Sequence, residues 1–479
     1  MASFGSTIFN WFPSNHRKKV LATAPILEPT GPRAVASRAR VSNKLDSVLL
    51  YGLSGLLLSG PLAFGAVEYW SIFIFEIGVS ALLAAWAIRQ VKASDFQFTP
   101  NALFLPMLGF AALIVIQLAT GRSAYSAETT SQGLLYCAYG AVSFLAAQCI
   151  RRTSQVKTLV WVFSIYGCAV ALLALLQGIA PNGKLYWLRT PQLGGWIYGP
   201  YVNHNHYAGL MEMLVPIPLV FCLTHHAYGT RKWAAAIAAV LMAATIFSSG
   251  SRGGMLALTV ELIFLVLINK ARKQSWKSTL VLGAFLLVVM GIAVWLGGGE
   301  IAKRVASILA ESRAELSGGM RLAIDRDALR TFMRRPVLGW GLGTFSVVYP
   351  QFRSFYTNFF IDQAHNDYLQ LLVEMGALGL GVMLWFLVLL YRDTLKKIRD
   401  WTTSINGAVS LAALLGCTGI LVHSFVDFNL HIPANAALFY FLSTVAAAEP
   451  FHDLHKRKRV YTPEPAERWV SLEAQDQST

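Results

Sequence analysis

Charged residues are scarce in this sequence, and their scarcity excludes an ordinary soluble protein. Aspartate, glutamate, lysine and arginine make up 14% of the 479 residues, whereas about a quarter of a soluble domain is charged. Hydrophobic residues supply 55% of the chain, and the mean hydropathy is +0.50. Most of the chain is therefore expected to lie away from water, and the composition predicts a membrane protein.

Cysteines are also few, and none stands in a functional spacing. Five cysteines lie inside apolar runs, without a CxxC pair or the spacing of metal ligands: Cys137, Cys149, Cys168, Cys222 and Cys417. This pattern argues against a cysteine-based redox or metal centre, and we interpret the five as small apolar residues in helix packing. A cleavable secretory signal is absent too, so the first apolar span, from about Asp46, is expected to be retained as a signal-anchor.

The net charge of +15 is distributed in a way that favours a membrane over a nucleic-acid partner. Basic residues cluster before Asp46 and again in Lys456–Arg459. Both clusters adjoin apolar spans, where lysine and arginine meet anionic lipid headgroups. We therefore expect membrane lipids as partners and no nucleic acid.

Apolar runs long enough to cross a bilayer recur along the chain, since a spanning helix needs about 20 apolar residues. We predict about twelve spans, at residues 47–66, 71–88, 102–120, 132–150, 158–179, 207–224, 233–249, 253–268, 279–297, 367–390, 406–427 and 432–448. The predicted fold class is all-α, a polytopic membrane helix bundle. Its transmembrane domain covers 46–448, between a basic cytoplasmic tail at 1–45 and a disordered cytoplasmic tail at 449–479.

The lysines and arginines of the short loops orient this bundle. With both termini in the cytoplasm, fifteen basic residues fall in inside loops and four in outside loops. The inside set is Arg89, Lys92, Arg151, Arg152, Lys157, Arg231, Lys232, Lys270, Arg272, Lys273, Lys277, Arg392, Lys396, Lys397 and Arg399; the outside set is Arg122, Lys184, Arg189 and Arg252. Cytoplasmic loops carry this bias, which predicts a multi-pass membrane protein with both termini in the cytoplasm.

One outside segment, the periplasmic loop 298–366, is much longer than the others and rich in arginine. Its eight arginines are Arg304, Arg313, Arg321, Arg326, Arg330, Arg334, Arg335 and Arg353. Long translocated segments escape the charge rule, so the loop does not contradict the topology. A partly helical loop with so much arginine indicates an anionic ligand.

The middle of this loop combines helical spacing with a glycine motif. Arg321 begins a stretch in which Arg326 and Arg330 lie one helical turn apart. Pro336 ends the stretch, and Gly339–Gly343 follows with the pattern Gly-x-Gly-x-Gly. No predicted strand precedes those glycines, so a nucleotide loop is a weak interpretation. We predict a tight turn that returns the chain to the membrane.

The loop ends at His365–Leu369, where the next span begins. On a helix, the first and last residues of this segment share one face. His365 would then lie at the end of a buried helix face, at the boundary between membrane and water. An ordinary interfacial histidine, with Asn366 or Asp367 capping the helix, is the alternative to a functional one.

Arg252 stands among the glycines of Ser248–Gly254, between two spans too close for a long loop. Its side chain could simply snorkel at a helix end. Alternatively, the glycines open the backbone to a bulky ligand, and the guanidinium fork matches phosphate oxygens. The residues alone leave both interpretations open.

Two further polar sets lie near the outer interface: Asn203–Tyr207, which contains His204 and His206, and the group His423, Asp427, Asn429, His431 and Asn435. Such clusters invite a metal site, but tight ligand spacing is absent and we expect no metal. Four carboxylates within spans are costly in lipid and should face the bundle interior: Glu76, Glu212, Glu261 and Glu374.

Taken in order, these segments resemble the O-antigen ligase and polymerase superfamily, over about 200–440. The resemblance is carried by Ser251–Gly254, Arg321, Arg335–Phe345, His365–Leu369 and Glu374–Gly376. Asn203–Ala208 and Ser424–Asn435 look like further blocks from exopolysaccharide members of the superfamily.

The resemblance implies a metal-independent glycosyltransferase of the GT-C class without a cofactor. It implies an undecaprenyl-diphosphate-linked glycan as donor and a glycan or lipid as acceptor, in lipopolysaccharide or exopolysaccharide biosynthesis. Arg252 and Arg321 match the family's arginines at the diphosphate, and His365 matches its histidine at the acceptor. Further substrate contacts are expected from Asn203, His204, His206, Arg326, Arg330, Asn366, Asp427 and His431.

The residue chemistry agrees with this function. A sugar hydroxyl is a poor nucleophile, and a histidine can remove its proton as it attacks. Fixed guanidinium groups can stabilise the leaving diphosphate in place of Mg²⁺. Ligase and polymerase differ only in the acceptor, and the sequence leaves both open, although the 203–208 and 424–435 blocks favour polymerisation. The alternatives are a lipid-linked oligosaccharide flippase or other polytopic transporter, although no related halves are detectable, and a non-catalytic assembly partner.

Overall fold

The computed structural model describes residues 32–92, 96, 98–191, 196–272, 280–289, 291, 318–358 and 360–448. Within these residues the regular structure is helical. Extended pairing is limited to two isolated bridges, one between Leu185 and Arg189 and one between Tyr198 and Tyr201. The all-α fold class predicted from the sequence is confirmed. The predictions for 1–31, 298–317 and 449–479 concern residues outside the described part.

The helices follow one another with short connections over most of the chain. In order they are α1 Pro32–Leu62, α2 Tyr69–Lys92, α3 Phe104–Ala119, α4 Ser126–Cys149, α5 Thr153–Ile179, α6 His204–Leu214, α7 Pro216–Leu223, α8 Gly229–Ser249, α9 Arg252–Ala271, α10 Leu280–Val289, α11 Gly318–Arg334, α12 Phe345–Val348, α13 Asp367–Lys397, α14 Ile405–His423 and α15 Pro433–Ala447.

Helix length and composition confirm a polytopic membrane protein. Eight stretches of described helix are long and apolar enough to cross a membrane: Leu45–Leu62, Tyr69–Lys92, Thr153–Ile179, His204–Leu223, Gly229–Ser249, Arg252–Ala271, Asp367–Asp400 and Ile405–His423. The shorter apolar helices α3, α10 and α15 fall within three further predicted spans, although residues 279, 290 and 292–297 of the span 279–297 lie outside the described part. The remaining predicted span, 132–150, falls on α4, which begins earlier.

Helix α14 lies at the centre of the bundle and determines where the candidate site forms. It packs against α6, α7, α9 and α15. Gly416 permits a close approach to the backbone of α6, because a Cβ there would lie 2.8 Å from the carbonyl oxygen of Met213. The helix ends at His423, so the predicted span 406–427 was too long. Its last residues form a turn in which the apolar Phe425 is 61% exposed.

The carboxylates predicted to face the bundle interior mostly do so. Glu212, Glu261 and Glu374 are 0%, 2% and 1% exposed, which confirms the prediction for these three. Glu76 on α2 is only partly buried. Burial of a carboxylate in lipid-spanning structure demands nearby polar groups, and two of the three have them, as described below.

Helix α13 is broken at Gly376, whose φ of 66° and ψ of −167° are not helical. Such a break leaves backbone groups that need partners inside a membrane. The segment after α11 supplies them. The amides of Trp340 and Gly341 donate to the carbonyls of Val373 and Glu374, each at 2.9 Å.

The same segment forms further hydrogen bonds with residues on both sides of the break. The amide of Ala377 donates to the carbonyl of Pro336 at 2.8 Å. The carboxylate of Glu374 accepts from the amides of Gly343, at 2.7 Å, and Phe345, at 3.2 Å. The glycine motif therefore folds against the broken helix, which confirms the predicted turn back to the membrane.

Candidate active site around residues 423 to 428

The turn after α14, residues His423–Phe428, is the meeting point of the predicted site residues. Its backbone closes on itself, because the carbonyl of His423 accepts from the amides of Val426, at 2.9 Å, and Asp427, at 3.1 Å. Segments from α6, α9, α11 and the start of α13 all contact it, as the next paragraphs show. We call residues 423–428 the central turn.

His365 contacts the central turn through Asp427. Its Nδ1 lies 3.3 Å from Oδ1 of Asp427, and the two side chains are 15% and 0% exposed. Asp427 Oδ1 also accepts from the amide of Phe428 at 2.9 Å. His365 has a φ of 53°, a left-handed conformation that a non-glycine residue keeps only when its surroundings hold it.

Asp427 is an anion in this environment. Burial alone would raise the pKa of its carboxyl, but the hydrogen bond from His365 and the neighbouring His206 and His423 hold that pKa well below its usual range. A carboxylate beside Nδ1 favours the tautomer with the proton on Nδ1. In that tautomer the Nε2 of His365 carries no proton.

Phe428 places a second histidine beside the first. Its ring lies edge-on between the imidazoles of His365, at 4.9 Å, and His206, at 4.7 Å. Asn203 is the N-cap of α6, since its Oδ1 accepts from the amide of Asn205 at 2.9 Å. His204 lies further out, with its ring 4.7 Å from that of Trp196. The block 203–206 therefore borders the central turn.

Arg321 is the arginine of α11 that reaches the central turn. Its Nη1 donates to the carbonyl oxygen of Val426 at 2.8 Å. Its Nε is buried without a hydrogen-bond partner among the described residues. A buried, unpaired guanidinium N–H is costly and is suited to an anionic ligand.

The other two candidate arginines of α11 lie elsewhere. Arg330 donates to Oδ1 of Asp327 at 3.3 Å. The other oxygen of that carboxylate accepts from the amide and hydroxyl of Ser354, at 2.8 and 2.9 Å, so this group fastens the loop to α11. Arg326 is exposed to solvent. Substrate contacts by these two arginines stay predictions, and neither side chain reaches the central turn.

Arg252 begins α9, beside the central turn. The hydroxyl of Ser251 caps this helix by accepting from the amide of Gly254 at 3.1 Å. A Cβ at Gly253 would lie 2.4 Å from Cδ2 and Nε2 of His423 and 2.9 Å from Val426. The helix start therefore presses against the turn, and Arg252 itself is exposed.

This packing bears on the glycines beside Arg252. One of the two interpretations that the sequence left open was that they open the backbone to a bulky ligand. Instead, the space beside Gly253 holds His423, and a Cβ at Gly254 would lie 2.7 Å from Ala208. These glycines allow helices to approach closely, because any side chain would overlap the neighbouring helix.

Asn366 and Asp367 join the start of α13 to the same region. Asn366 Oδ1 caps the helix, accepting from the amides of Tyr368 and Leu369 at 3.2 and 3.1 Å, so the capping alternative is confirmed for this residue. Asp367 Oδ1 lies 2.6 Å from Nδ1 of His431. Burial alone would lower the pKa of His431, but the hydrogen bond and charge of Asp367 raise it above its usual value.

A buried pair lies beneath the central turn. Nδ1 of His423 is 2.7 Å from Oε1 of Glu212, with the side chains 1% and 0% exposed. The pair joins α14 to α6 directly below the start of α9. Both residues were singled out in the sequence, but their pairing was not predicted.

Asp325 is a neighbour of two candidate site residues that the sequence did not reveal. It lies near both Arg321 and His365; burial raises the pKa of its carboxyl, while these two neighbours lower it, and the rise prevails. In the sequence it stands four residues after Arg321, the spacing of an ordinary surface ion pair on a helix. That spacing carries no signal of a site.

An apolar cavity lies next to the pair formed by Asp367 and His431. It has an empty volume of about 1100 Å³, including space open to solvent, between α3, α4, α13, α14 and α15. Aromatic and aliphatic side chains such as Tyr136 and Phe386 form its walls, and Asp367, Glu374 and His431 lie among its polar lining. Among the described residues, no group of three or more His, Cys, Asp or Glu side chains could hold a metal ion.

The comparison with protein families agrees with this geometry. Residues 237–384 match the family model described as O-antigen ligase, a segment that contains Arg252, Arg321 and His365. A search of curated proteins gave no match. The resemblance predicted from the motifs is confirmed. Residues 237–384 therefore match an O-antigen ligase domain, which supports the resemblance of this chain to the O-antigen ligase and polymerase superfamily.

Proposed function

We propose that this protein transfers a glycan from undecaprenyl diphosphate to a glycan or lipid acceptor at the periplasmic face of the bacterial inner membrane. One observation carries the proposal. The central turn contacts His365 through Asp427 and Arg321 through Val426, and it packs against the start of α9, where Arg252 lies. A base candidate, the guanidinium of Arg321 and the helix start that carries Arg252 thus come from three distant segments to one turn.

His365 is the proposed general base. Its Nε2 takes the proton of the acceptor hydroxyl as that oxygen forms a bond to the anomeric carbon of the donor sugar. The bond from that carbon to the diphosphate oxygen breaks in the same step, and the electron pair leaves with the diphosphate. Asp427 stabilises the imidazolium that results, a role that a buried carboxylate beside histidine performs in other enzymes.

Arg252 and Arg321 are the proposed partners of the diphosphate. Arg321 uses one N–H on Val426 and keeps its buried Nε for the ligand. Fixed guanidinium groups stabilise developing negative charge without reorganisation, so we propose that transfer needs no divalent cation and continues in EDTA. The apolar cavity between α13 and α15 would hold the prenyl chain.

Polymerisation is the proposed form of the transfer. The blocks 203–208 and 424–435, which resemble exopolysaccharide members, are joined in the structure, because Nδ2 of Asn435 donates to the carbonyl of His206 at 3.0 Å. Tyr201, just before the first block, donates its hydroxyl to Oδ1 of Asn435 at 2.8 Å. A polymerase would yield a ladder of lipid-linked products, whereas a ligase would yield a single glycan on lipid A core.

The test is transfer by purified full-length protein in detergent micelles. Micelles have no compartments, so product formation there requires a transferase and excludes transport as the sole function. We expect His365→Ala to bind the lipid-linked donor normally and to slow transfer roughly 10²–10⁴-fold. His225→Ala, at an exposed histidine of another loop, is the matched control. Normal transfer by His365→Ala would show that this histidine is only an interfacial residue.

A further inference from the structure

A second polar pocket lies at the opposite end of α8 from the candidate active site. It is formed where α5 and α8 begin and α7 ends. Because α8 is long enough to span the membrane, this pocket opens on the other membrane face. The loop charges predict that face to be cytoplasmic.

The lining of this pocket carries basic charge without a balancing acid. Lys157 on α5, Arg231 on α8, and His225 and His226 of the connection all line it, and none of its lining residues is Asp or Glu. Neither Lys157 nor Arg231 forms an ion pair within the part of the chain that the structure describes. Among the lining residues, the pocket therefore presents basic charge without a carboxylate to neutralise it.

Backbone groups add to this positive charge. The N-cap of α8, Tyr228, makes no side-chain cap, and the first turn of α8 has no acidic residue. An uncapped helix start leaves N–H groups directed at a ligand and favours anions. The loop is held in place, because the amide of His225 donates to the carbonyl of Thr402 at 2.9 Å.

His226 shows how the charges converge. Its Nε2 is buried without a hydrogen-bond partner among the described residues. Burial lowers the pKa of His226, and the charges of Lys157 and His225 lower it further, against a backbone hydrogen bond at Thr403 that raises it. An anion in the pocket would relieve this repulsion and supply the missing partner.

Two aromatic residues indicate that the pocket lies at the level of the lipid headgroups. Trp161 lines it, with its ring packed edge-on against Phe221 at 5.8 Å. Tyr228, also in the lining, is 73% exposed. Tryptophan and tyrosine are enriched where a membrane protein meets the headgroup layer, and basic pockets between helices on the cytoplasmic side bind anionic headgroups.

We propose that this pocket binds the phosphate headgroup of an anionic phospholipid from the adjoining leaflet. Lys157 and Arg231 pair with the phosphate oxygens, the start of α8 donates backbone N–H groups, and Trp161 and Tyr228 border the glycerol region. The proposal does not depend on the transfer reaction, since the pocket lies on the other membrane face.

The test is a lipid titration of detergent-solubilised full-length protein, followed by native mass spectrometry. Cardiolipin, phosphatidylglycerol and phosphatidylcholine are compared, with inorganic phosphate as a separate arm. We expect the two anionic lipids to bind and phosphatidylcholine not to bind. Each basic side chain at a membrane surface changes lipid affinity about fivefold, so Lys157→Gln with Arg231→Gln should weaken binding roughly 30-fold.

The matched control is Lys232→Gln, which removes the same charge from the next residue of α8, outside the pocket lining. It should retain nearly all of the affinity. Unchanged binding by the double variant, or an equal loss in the control, would overturn the site. Binding of inorganic phosphate as tight as that of the lipids would overturn the lipid as its occupant.

Discussion

The imidazole of His365 and the carboxylate of Asp427 lie 3.3 Å apart although 62 residues separate them in the chain. His365 directly precedes the N-cap of α13, and Asp427 makes the last backbone hydrogen bond of the turn after α14. The carboxylate is completely buried and the histidine is partly accessible. This is the arrangement in which an acidic residue orients a base without meeting the substrate itself.

Replacement of Asp427 by asparagine tests this orientation. The amide has nearly the same size, but its NH₂ can face Nδ1 and stabilise the wrong tautomer. We expect Asp427→Asn to lower kcat roughly 10²–10⁴-fold, with the KM for donor changed only a few-fold. Single-turnover transfer measures this split. Asp362→Asn, at an exposed carboxylate of the same loop, should transfer normally. An active Asp427→Asn enzyme would refute the orienting role.

Substitution at Arg321 separates charge from geometry. Lysine keeps the charge but lacks the fork, so Arg321→Lys should recover only part of the donor affinity that Arg321→Ala loses. Arg326→Ala, five residues further along the same helix and exposed, removes an arginine that does not reach the central turn. Binding of lipid-linked donor and turnover are measured for all three variants. Equal losses for Arg321→Ala and Arg326→Ala would mean that the helix acts through general charge.

Gly253 should tolerate no side chain. A methyl group there would lie 2.4 Å from the ring of the buried His423, and the resulting overpacking typically destabilises by about 1–3 kcal/mol. We expect Gly253→Ala to lower both Tm and transfer, because α9 must move away from the central turn. Gly381→Ala, within α13 and with nothing inside 4 Å, is the matched control and should be as stable as the parent. A fully stable Gly253→Ala would contradict this packing.

The pair of Asp367 and His431 should make stability depend on pH. The folded-state pKa of His431 lies above its usual value. Protonated His431 therefore stabilises the folded state fully below the unfolded pKa, near 6.5, and this contribution is lost as pH rises through the folded value. We expect Tm to fall from neutral to mildly alkaline pH, and His431→Gln to lack that part of the fall. His225→Gln should keep it; the same profile for both variants would exclude the pair as the cause.

The orientation of the bundle is open to direct measurement. Tyr356, which is 84% exposed, precedes α13, and Thr403 lies exposed between α13 and α14. We expect Tyr356→Cys to react with an impermeant thiol reagent in intact spheroplasts, and Thr403→Cys to react only after permeabilisation. Labelling of the parent chain, whose Cys137 is exposed, gives the background. The reverse pattern would invert the topology predicted from the basic residues.

Much of the architecture was predictable because membrane physics acts locally on the chain. A bilayer requires runs of about 20 apolar residues with internally paired backbone, so the spans were visible without a fold. Local rules also indicated the cap at Asn366 and the turn at Gly339–Gly343. The boundary at His423 was missed, since Phe425 and Val426 extended the apolar run beyond the helix.

The sequence by itself determined the residue types that the proposed chemistry needs: arginines for an anion, a histidine at the water boundary, and glycines beside Arg252. Only the tertiary structure decided that Arg321 rather than Arg326 or Arg330 reaches the central turn, and that Asp427 is the partner of His365. It also decided that the glycines admit a helix rather than a ligand. These outcomes depend on distances across the packed bundle, and helix packing, rather than any local pattern, brings together side chains that are dozens of residues apart.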